Sequence, residues 1–445
     1  MTSNIRHIAF LLLGPLLFVL TLLFFKPEGL PYQGRAILAC TLWVAAWWIT
    51  EVVPLAVTSL LPLLLFPLTG GLDMKATARP YGHEILFLFL GGFILALAME
   101  RWNLHRRIAL NLIAAVGTRT HQIVLGFILA TGLLSMWISN TATTVMMLPI
   151  GLAIVGELGR IGEGEGRNRF GKALMLSIAY AASIGGIATL IGTPTNMIFR
   201  GFVSDEYGVE ISFASWAMIG APIALVLMFL MWQYMVRIAF RLDNHPVKGA
   251  RELIRQELQL LGPMRYEEKW VLGLFVFVAI CWMSRKYLIN PWLPNLNDTG
   301  IALLGSIPLF FIPAKEKGQK IMDWETAVRL PWAVLLLFGA GFAIAAGFEH
   351  SCLAEWIGNQ LSVLSAIPFI LILVTLIAGV NFLTEITSNM ATATLMMPVL
   401  ANLAPAIGVH HYGLMVSATV AASCAFMLPV ATAPNAVVLA QACSK

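Results

Sequence analysis

The sequence SMWISNTATTVMMLP at residues 135–149 returns, in altered form, as TEITSNMATATLMMP at residues 384–398. Each copy carries a Ser-Asn pair followed by hydroxyl residues, and each lies inside an apolar stretch (121–158 and 363–408) that is too long for one membrane span of about 20 residues. Non-helical backbone at membrane depth is tolerated only where protein or water surrounds it. We therefore predict that each stretch is a re-entrant hairpin, with two helical arms meeting at a polar tip.

The composition places the chain in a membrane. Of the 445 residues, 59% are hydrophobic and 11% are charged, whereas soluble domains carry about 45–50% apolar and about 25% charged residues. We predict an all-α polytopic membrane protein, because a soluble core could not bury this much apolar surface. The same composition excludes soluble enzymes, nucleic-acid-binding proteins and disulfide-rich modules. The five cysteines are scattered without a CxxC motif, which indicates buried apolar residues rather than a metal site.

The positive charges predict the topology. If the N-terminus is cytoplasmic and both hairpins return to the side they left, 21 of the 28 Lys and Arg residues fall on the cytoplasmic side, as the positive-inside rule requires. A single span in place of either hairpin would reverse every later loop and weaken this asymmetry. The charges therefore favour the two hairpins.

The chain repeats itself beyond the two tips. Adding 249 to the residue number pairs Gly92-Phe93 with Gly341-Phe342, and a later offset of 239 pairs GTPTN at 192–196 with ATAPN at 431–435. Lys and Arg are numerous beside the first hairpin but absent from 330–444. Equivalent loops are therefore expected on opposite sides of the membrane. Inverted repeats with broken helices are typical of secondary transporters, with the site near the bilayer midplane.

The polar breaks offer ligands for a cation and an anion. Interrupted helices free backbone carbonyls, and hydroxyl and amide oxygens add further ligands for a small hard cation. The N-terminal ends of half-helices face an anion. Neither hairpin core contains Lys, Arg or His, so a bound anion would rely on hydroxyls, amides, helix dipoles and co-bound cations. The alternative is that these side chains only join helices to one another. Glu385, the one carboxylate near a tip, could serve a cation or a structural contact.

At these residues the sequence resembles the divalent anion/sodium symporter family, whose members carry Ser-Asn-Thr at two hairpin tips and a Thr-Pro break in two later helices. The matching residues are Ser139-Asn140-Thr141, Ser388-Asn389, Thr193-Pro194, and Thr432 with Pro434. Met390 stands where many members have threonine, which leaves the size of the substrate open.

The resemblance implies the following site residues. One sodium ion would be held by Ser135, Ser139, Asn140 and the Gly192 carbonyl, and a second by Thr384, Thr387, Asn389 and the Ala431 carbonyl. The substrate would meet Ser139, Asn140, Thr141, Thr193, Pro194, Ser388, Asn389, Thr432 and Pro434.

The resemblance also implies a scaffold and an elevator-type transport domain, in a homodimer. The expected parts are scaffold helices at 1–83, a transport part at 84–212 (hairpin 121–158, broken helix 173–199), scaffold helices and a basic cytoplasmic loop at 213–331, and a second transport part at 332–445 (hairpin 363–408, broken helix 412–440). The chain is expected to lack the last scaffold helix of the family.

The expected function is sodium-coupled import of C4-dicarboxylates such as succinate, malate or fumarate, by alternating access in the bacterial inner membrane. Sodium is the coupling ion, no other cofactor is expected, and the partners are the dicarboxylate, sodium and membrane lipid. An exchanger, a carrier of citrate or sulfate, a truncated inactive member and a channel remain alternatives. An intramembrane hydrolase would need a Ser/His or Asp/Asp pair at membrane depth, and neither hairpin core contains His or Asp.

Overall fold

The computed structural model describes residues 2–159, 165–247, 249–316 and 318–442, and within these ranges the chain is helical without β-strands. The helices of the first half are α1 Thr2–Phe24, α2 Tyr32–Thr50, α3 Leu55–Thr58, α4 Leu61–Thr69, α5 Met74–Ala78, α6 Glu84–Arg101, α7 Leu104–Val116, α8 Thr120–Ser135, α9 Asn140–Gly159, α10 Glu165–Gly186 and α11 Pro194–Tyr207. The prediction of an all-α protein is confirmed for these residues.

The remaining helices continue this pattern. They are α12 Phe213–Gln233, α13 Ala250–Leu261, α14 Tyr266–Ser284, α15 Asp298–Ser306, α16 Trp324–Ala327, α17 Trp332–His350, α18 Leu353–Leu361, α19 Phe369–Thr384, α20 Asn389–Ala406, α21 His411–Ala422 and α22 Ala433–Ala442. Short 3-10 or π-helical turns lie at Arg79–Gly82, Tyr234–Ala239, Arg285–Ile289, Ile307–Phe310 and Ser362–Ala366.

Several helices suit a membrane. Among the described residues, five helical stretches are long and apolar enough to cross it: Arg6–Phe24, Met74–Arg101, Phe213–Ala239, Tyr266–Ile289 and Trp332–His350. The arms α8 and α19 are apolar but have 16 residues each, fewer than the roughly 20 that a span needs. The multi-pass membrane character of the chain is thus confirmed.

One apolar stretch of the first scaffold segment is divided. Residues 52–70 contain two short helices, α3 and α4, separated by Ser59 and Leu60. Pro54 precedes α3 and Pro62 lies in the first turn of α4. Proline lacks a backbone N–H and is tolerated at the start of a helix rather than in its interior, so the two prolines mark two separate helix starts.

The chain forms two compact units, each built from segments that are distant in sequence. Unit 1 comprises Met1–Leu86, Pro194–Glu210 and Pro331–Ala431, and unit 2 comprises Phe87–Thr193, Ile211–Leu330 and Thr432–Lys445. Each broken helix is divided between the units at its break, because α10 belongs to unit 2 and α11 to unit 1, whereas α21 belongs to unit 1 and α22 to unit 2.

Each unit combines parts of both sequence repeats. In unit 1, α11 from the first half of the chain packs against α20 and α21, which carry the second hairpin and the helix after it. In unit 2, α22 packs in the same way against α9 and α10 of the first half. The helix after each break therefore packs against the hairpin arm of the other repeat.

Glycine allows a close contact between two helix backbones in unit 2. A β-carbon on Gly185 of α10 would lie 2.3 Å from the carbonyl oxygen of Gly132 in α8. This distance is shorter than any side chain could accept, so the two backbones touch directly. The contact fixes α10 against the first arm of hairpin 1 close to its polar tip.

Candidate functional site

The tip of hairpin 1 is a short turn between two helix ends. The arm α8 ends at Ser135, and α9 begins at Asn140. The Ser139 hydroxyl accepts a hydrogen bond from the Ala142 backbone N–H at 3.3 Å, which caps the start of α9. The tip therefore presents the N-terminal, partially positive end of a helix.

Three oxygens meet beside this tip in unit 2. The Ser135 hydroxyl oxygen lies 2.6 Å from the Asn140 side-chain oxygen and 2.6 Å from the Ala182 carbonyl oxygen. A serine hydroxyl carries one proton, so it can donate fully to only one of these two acceptors. The cluster therefore has more oxygen lone pairs than protons to bind them. A small hard cation can bind the lone pairs that are left over.

The same arrangement occurs at the second tip, in unit 1. The Thr384 hydroxyl oxygen lies 2.6 Å from the Asn389 side-chain oxygen and 3.0 Å from the Ala422 carbonyl oxygen. Thr384 and Asn389 stand 249 residues after Ser135 and Asn140. The two halves of the chain thus build equivalent hydroxyl–amide–carbonyl clusters, one in each unit.

Gly186 leaves space between two of the predicted sodium ligands. A β-carbon on Gly186 would lie 2.9 Å from the Asn140 side-chain oxygen and 2.9 Å from the Gly192 carbonyl oxygen. Both oxygens therefore border the same small volume, which would be filled by any side chain larger than glycine. The structure brings Asn140 and the Gly192 carbonyl together as the first predicted site requires.

Each tip is joined to the break of the following helix, but by different groups. In unit 2 the Thr189 hydroxyl donates to the Met136 carbonyl oxygen and accepts from the Gly192 backbone N–H at 3.1 Å. In unit 1 the buried Glu385 carboxylate accepts from the backbone N–H groups of Met427 and Leu428, at 2.9 and 2.7 Å. Glu385 stands 249 residues after Met136. Its carboxylate therefore takes the place that the hydrogen bond between the Thr189 hydroxyl and the Met136 carbonyl has in the first repeat.

The other predicted residues are distributed over both units. Thr193, Pro434 and Ser135 are buried in unit 2, where Ser139 and Thr141 are exposed and Asn140 and Thr432 are half-buried. The Thr432 hydroxyl accepts from the Asn435 backbone N–H at 3.3 Å, beside the start of α22. In unit 1, Thr384 and Thr387 are buried, while Pro194, Ser388, Asn389 and Ala431 are half-buried.

Thr387 has partners of its own. Its hydroxyl donates to the Leu383 carbonyl oxygen at 2.9 Å and lies 2.6 Å from the Thr392 hydroxyl. The Ala431 carbonyl is the fourth ligand predicted for the second sodium ion. Thr387 and the Ala431 carbonyl stay predictions as ligands.

The structure adds residues that the sequence did not point to. Ala182 and Ala422 contribute backbone carbonyl oxygens, and Thr189 fixes the break after α10. Every residue has a carbonyl, so no feature of the alanine side chains could have marked them. Among the described residues no group of three or more His, Cys, Asp or Glu is placed to hold a metal ion, and the neutral oxygen clusters are the arrangement that suits a singly charged cation.

Charged side chains connect the predicted cytoplasmic segments within unit 2. Arg106 contacts Glu257, the Arg107 Nε lies 2.6 Å from a Glu268 carboxylate oxygen, and Arg101 lies 2.5 Å from Asp323. These pairs join α7 to α13 and to the start of α14, and the end of α6 to the residue before α16. The charge pattern assigns all of these segments to one face. Their proximity supports a common side for these segments.

Comparison with known proteins agrees with the geometry of the site. Residues 6–444 match the family described as the sodium:sulfate symporter transmembrane region. The chain belongs to the sodium:sulfate symporter family. The sodium-dependent dicarboxylate transporter SdcS of Staphylococcus saprophyticus is 50% identical over 443 residues, which cover 98% of this chain and 85% of the relative. SdcS of Staphylococcus aureus strain USA300 is 50% identical over 436 residues, which cover 96% and 84%.

Two predictions are thereby confirmed. The resemblance to the divalent anion/sodium symporters holds over nearly the whole chain. The family and these relatives are transporters and not enzymes, so the intramembrane hydrolase alternative is excluded.

Proposed function

We propose that this protein imports C4-dicarboxylates by coupling them to the inward movement of sodium. The observation that carries the proposal is the pair of hydroxyl–amide–carbonyl clusters at Ser135–Asn140–Ala182 and Thr384–Asn389–Ala422. Relatives that are half identical to this chain are named sodium-dependent dicarboxylate transporters, which supports the same ion and substrate class here.

The two clusters would each hold one sodium ion. Their ligands are neutral oxygens, and each cluster has fewer protons than acceptors, so a cation removes the repulsion between lone pairs. Ser139 and the Gly192 carbonyl complete the first proposed site, and Thr387 and the Ala431 carbonyl complete the second. Sodium serves as the coupling ion, and no other cofactor takes part.

The dicarboxylate would bind at the starts of helices. α9, α20, α11 and α22 begin at Asn140, Asn389, Pro194 and Ala433, and the N-terminal end of a helix carries a partial positive charge. Hydroxyls of Ser139, Thr141, Thr193, Ser388 and Thr432 supply hydrogen bonds to the carboxylates, and bound sodium supplies the remaining positive charge. An anion then binds weakly without sodium, which couples the two movements.

The mechanism that we propose is alternating access by an elevator-type movement in a homodimer. The repeated hydrogen bonds at an offset of 249 support two structural repeats, and the charge distribution supports their inverted orientation. The segments 1–83 and 213–331 form the proposed scaffold, whereas 84–212 and 332–445 form the proposed moving part. The location is the bacterial inner membrane, with the N-terminus in the cytoplasm.

Uptake of radiolabelled succinate into proteoliposomes tests the proposal. We expect accumulation only with an inward sodium gradient, and excess fumarate or malate should compete with it. Uptake that is indifferent to sodium would contradict symport. Because the family description names sulfate, sulfate is included as a competitor, and inhibition by sulfate stronger than that by malate would contradict dicarboxylate selectivity.

A further inference from the structure

Trp137 stands in the turn of hairpin 1, between the proposed sodium ligands Ser135 and Ser139. Its ring stacks on the ring of Phe213, at the start of α12, with centroids 5.6 Å apart and ring planes 19° from parallel. It also lies parallel to the ring of Trp282, near the end of α14, at 6.4 Å. Trp137 is among neither the sodium ligands nor the substrate contacts proposed above, so this cluster within unit 2 needs a separate explanation.

The partner rings belong to the packed interior of unit 2. Phe213 and Trp282 are each 1% exposed, and their rings stack on one another with centroids 4.6 Å apart. Phe275 of α14 lies nearly perpendicular to the Trp137 ring, at a centroid distance of 4.7 Å. Aromatic pairs with centroids about 4.5–7 Å apart attract one another beyond the effect of the apolar area that they bury. Three rings of α12 and α14 therefore hold Trp137.

A buried carboxylate fixes the position of these rings. The Asp298 side chain is inaccessible to solvent, and one of its oxygens accepts a hydrogen bond from the Phe213 backbone N–H at 2.9 Å. The Asp298 backbone carbonyl accepts from the Trp282 Nε1 group at 2.9 Å. The second carboxylate oxygen lies 3.3 Å from the Arg285 guanidinium. Asp298 thus joins the start of α12 to the end of α14, and with them the two rings on which Trp137 stacks.

The same part of α12 reaches the other half of the first sodium site. Trp216, three residues after Phe213, donates from its Nε1 group to the Ile187 backbone carbonyl at 2.9 Å. Ile187 directly follows α10 and precedes the Gly192 carbonyl that we assign to that site. A β-carbon on Gly220 would lie 2.5 Å from the same Ile187 oxygen, so α12 packs directly against the break. The start of α12 therefore supports both the tip and the break.

The second tip is held differently. The residue 249 positions after Trp137 is Ile386, which is 65% exposed. In that repeat the Glu385 carboxylate accepts from the backbone of the following break, and the Asn381 side chain donates to the Cys424 carbonyl at 2.7 Å. The oxygen clusters of the two tips are alike, but polar side chains hold the second tip and an aromatic stack holds the first.

We propose that Trp137 is a positioning residue for the first sodium site. Its stack on Phe213 and Trp282 fixes the turn between α8 and α9, so that the oxygens at the two ends of the turn stand together before an ion binds. The inference rests on the proposed function. Binding to a site that is already ordered costs less conformational entropy, so the stack raises the affinity for sodium. The proposed movement of the hairpin past 213–331 would open the stack, which therefore supports the site in the arrangement described here.

Two substitutions of Trp137 test this role. Trp137→Phe keeps an aromatic ring, whereas Trp137→Leu keeps an apolar side chain without a ring. Uptake of labelled succinate is measured as a function of external sodium at constant ionic strength. We expect Trp137→Leu to raise the sodium concentration for half-maximal uptake roughly three- to tenfold, the effect of a lost aromatic pair. The maximal rate at saturating sodium should be retained, and Trp137→Phe should restore most of the sodium affinity.

The partner ring gives a second variant with a matched control. Phe213→Leu removes the ring on which Trp137 stacks and should raise the sodium requirement in the same way. Phe229→Leu is the control, because Phe229 also lies in α12 and pairs with an aromatic ring, that of Trp232, but is 54% exposed and about 24 Å further along the helix. It should keep the unchanged sodium dependence. Equal sodium dependence in Trp137→Leu, Phe213→Leu and the control would overturn the proposal.

A second measurement needs no substrate. The melting temperature of the purified protein is followed as sodium replaces choline, since an ion that binds the folded chain stabilises it. The sodium concentration that gives half of the rise should be higher in Trp137→Leu than in Trp137→Phe. If this difference is present but succinate is not transported, the positioning role stands and the proposed substrate is wrong. If sodium drives uptake but neither measurement separates the two variants, the proposed function stands and the positioning role is wrong.

A double-mutant cycle, measured from the same melting curves, assigns the effect to one site. In Ser135→Ala, which lacks the hydroxyl of the first cluster, Trp137→Leu should add little to the sodium requirement. In Thr384→Ala, which lacks the hydroxyl of the second cluster, Trp137→Leu should have its full effect, because substitutions without shared partners are additive. A stack that only stabilised the fold would act equally in both backgrounds, and that result would contradict the positioning role.

Discussion

At the scale of single residues, the proposed cation binding at the tips depends on a shortage of hydroxyl protons rather than on net charge. The cluster around Ser135 has two acceptors for one hydroxyl proton, and the cluster around Thr384 has the same composition. A neutral hydrogen bond contributes about 0.5–1.5 kcal/mol, but an acceptor left without a partner costs about 1–3 kcal/mol. In the proposed sites, sodium would bind the surplus lone pairs of hydroxyl, amide and carbonyl oxygens, none of which carries a net charge.

The first prediction concerns Gly186. Substitution to alanine places a methyl group 2.9 Å from the Asn140 side-chain oxygen and from the Gly192 carbonyl oxygen, so it should displace the sodium ion that we propose both oxygens bind. We expect the sodium concentration for half-maximal uptake to rise roughly tenfold, in line with a loss of about 1–3 kcal/mol. Gly273→Ala in α14 is the matched control, because a β-carbon there meets no atom within 4 Å. Equal sodium dependence in the two variants would argue against the site.

The second prediction concerns Glu385. Glutamine has one acceptor oxygen where the carboxylate has two, so Glu385→Gln would turn its NH₂ group toward the backbone N–H of Met427 or Leu428. The break before α22 should lose its order, with a destabilisation of about 1–3 kcal/mol and a loss of uptake. The melting temperature and the uptake rate both report this, and Glu325→Gln, at an exposed position, is the control. An unchanged melting temperature would show that the carboxylate does not organise the break.

At the scale of helices, the helix after each break packs against helices from the other half of the chain. α11 leaves the first repeat and packs in unit 1 against α20 and α21, and the Thr195 and Ser423 hydroxyls lie 2.8 Å apart in this contact. α22 packs in unit 2 against α9 and α10. Each cluster of oxygens is therefore flanked, within its own unit, by a helix from the other half of the chain.

The third prediction measures this contact by a double-mutant cycle. Thr195→Val and Ser423→Ala each remove one hydroxyl of the pair, and the combined variant removes both. We expect a coupling free energy of about 0.5–1.5 kcal/mol, as for one buried hydrogen bond, measured from thermal unfolding in detergent. Ser417→Ala, whose hydroxyl bonds only within α21, combined with Thr195→Val should give additive effects. Additivity in the main cycle would mean that the hydroxyl pair does not hold α11 to α21.

At the scale of the whole molecule, charge and packing agree on which segments share a face. The basic segments 101–119, 237–269 and 315–329, which the positive-inside rule places together, are joined in unit 2 by ion pairs. Segments of unit 1 with few Lys or Arg residues, around His83, Asp205 and Glu349, line one common cavity of that unit. The charge pattern of the sequence and the contacts within the folded units thus place the same segments together.

The fourth prediction turns this grouping into a labelling experiment. In a chain without its native cysteines, Lys75→Cys should react with a membrane-impermeant thiol reagent in intact cells, since residue 75 lies on the predicted outer face. Arg255→Cys, in the predicted cytoplasmic loop, should react only after the membrane is opened. Reversed labelling of the two positions would contradict a cytoplasmic N-terminus.

The sequence by itself determined the features that can be read directly from the order of residues. These are the apolar stretches, their polar interruptions, the repeat at an offset of 249 and the asymmetry of the charges. Helix ends at Ser135, Asn140, Thr384 and Asn389 follow from those interruptions, because apolar helices end where polar residues and proline free the backbone. Family membership was also visible at the tips, since the Ser-Asn motifs that match the family lie there.

Only the tertiary structure decided which groups complete each site. The carbonyls of Ala182 and Ala422 and the carboxylate of Glu385 join residues 38 to 47 positions apart. A backbone oxygen is the same atom in every residue, and a carboxylate can face water, a cation or a helix end. The sequence records that these groups exist, but the packing of α10, α11 and α21 determines which of them meet.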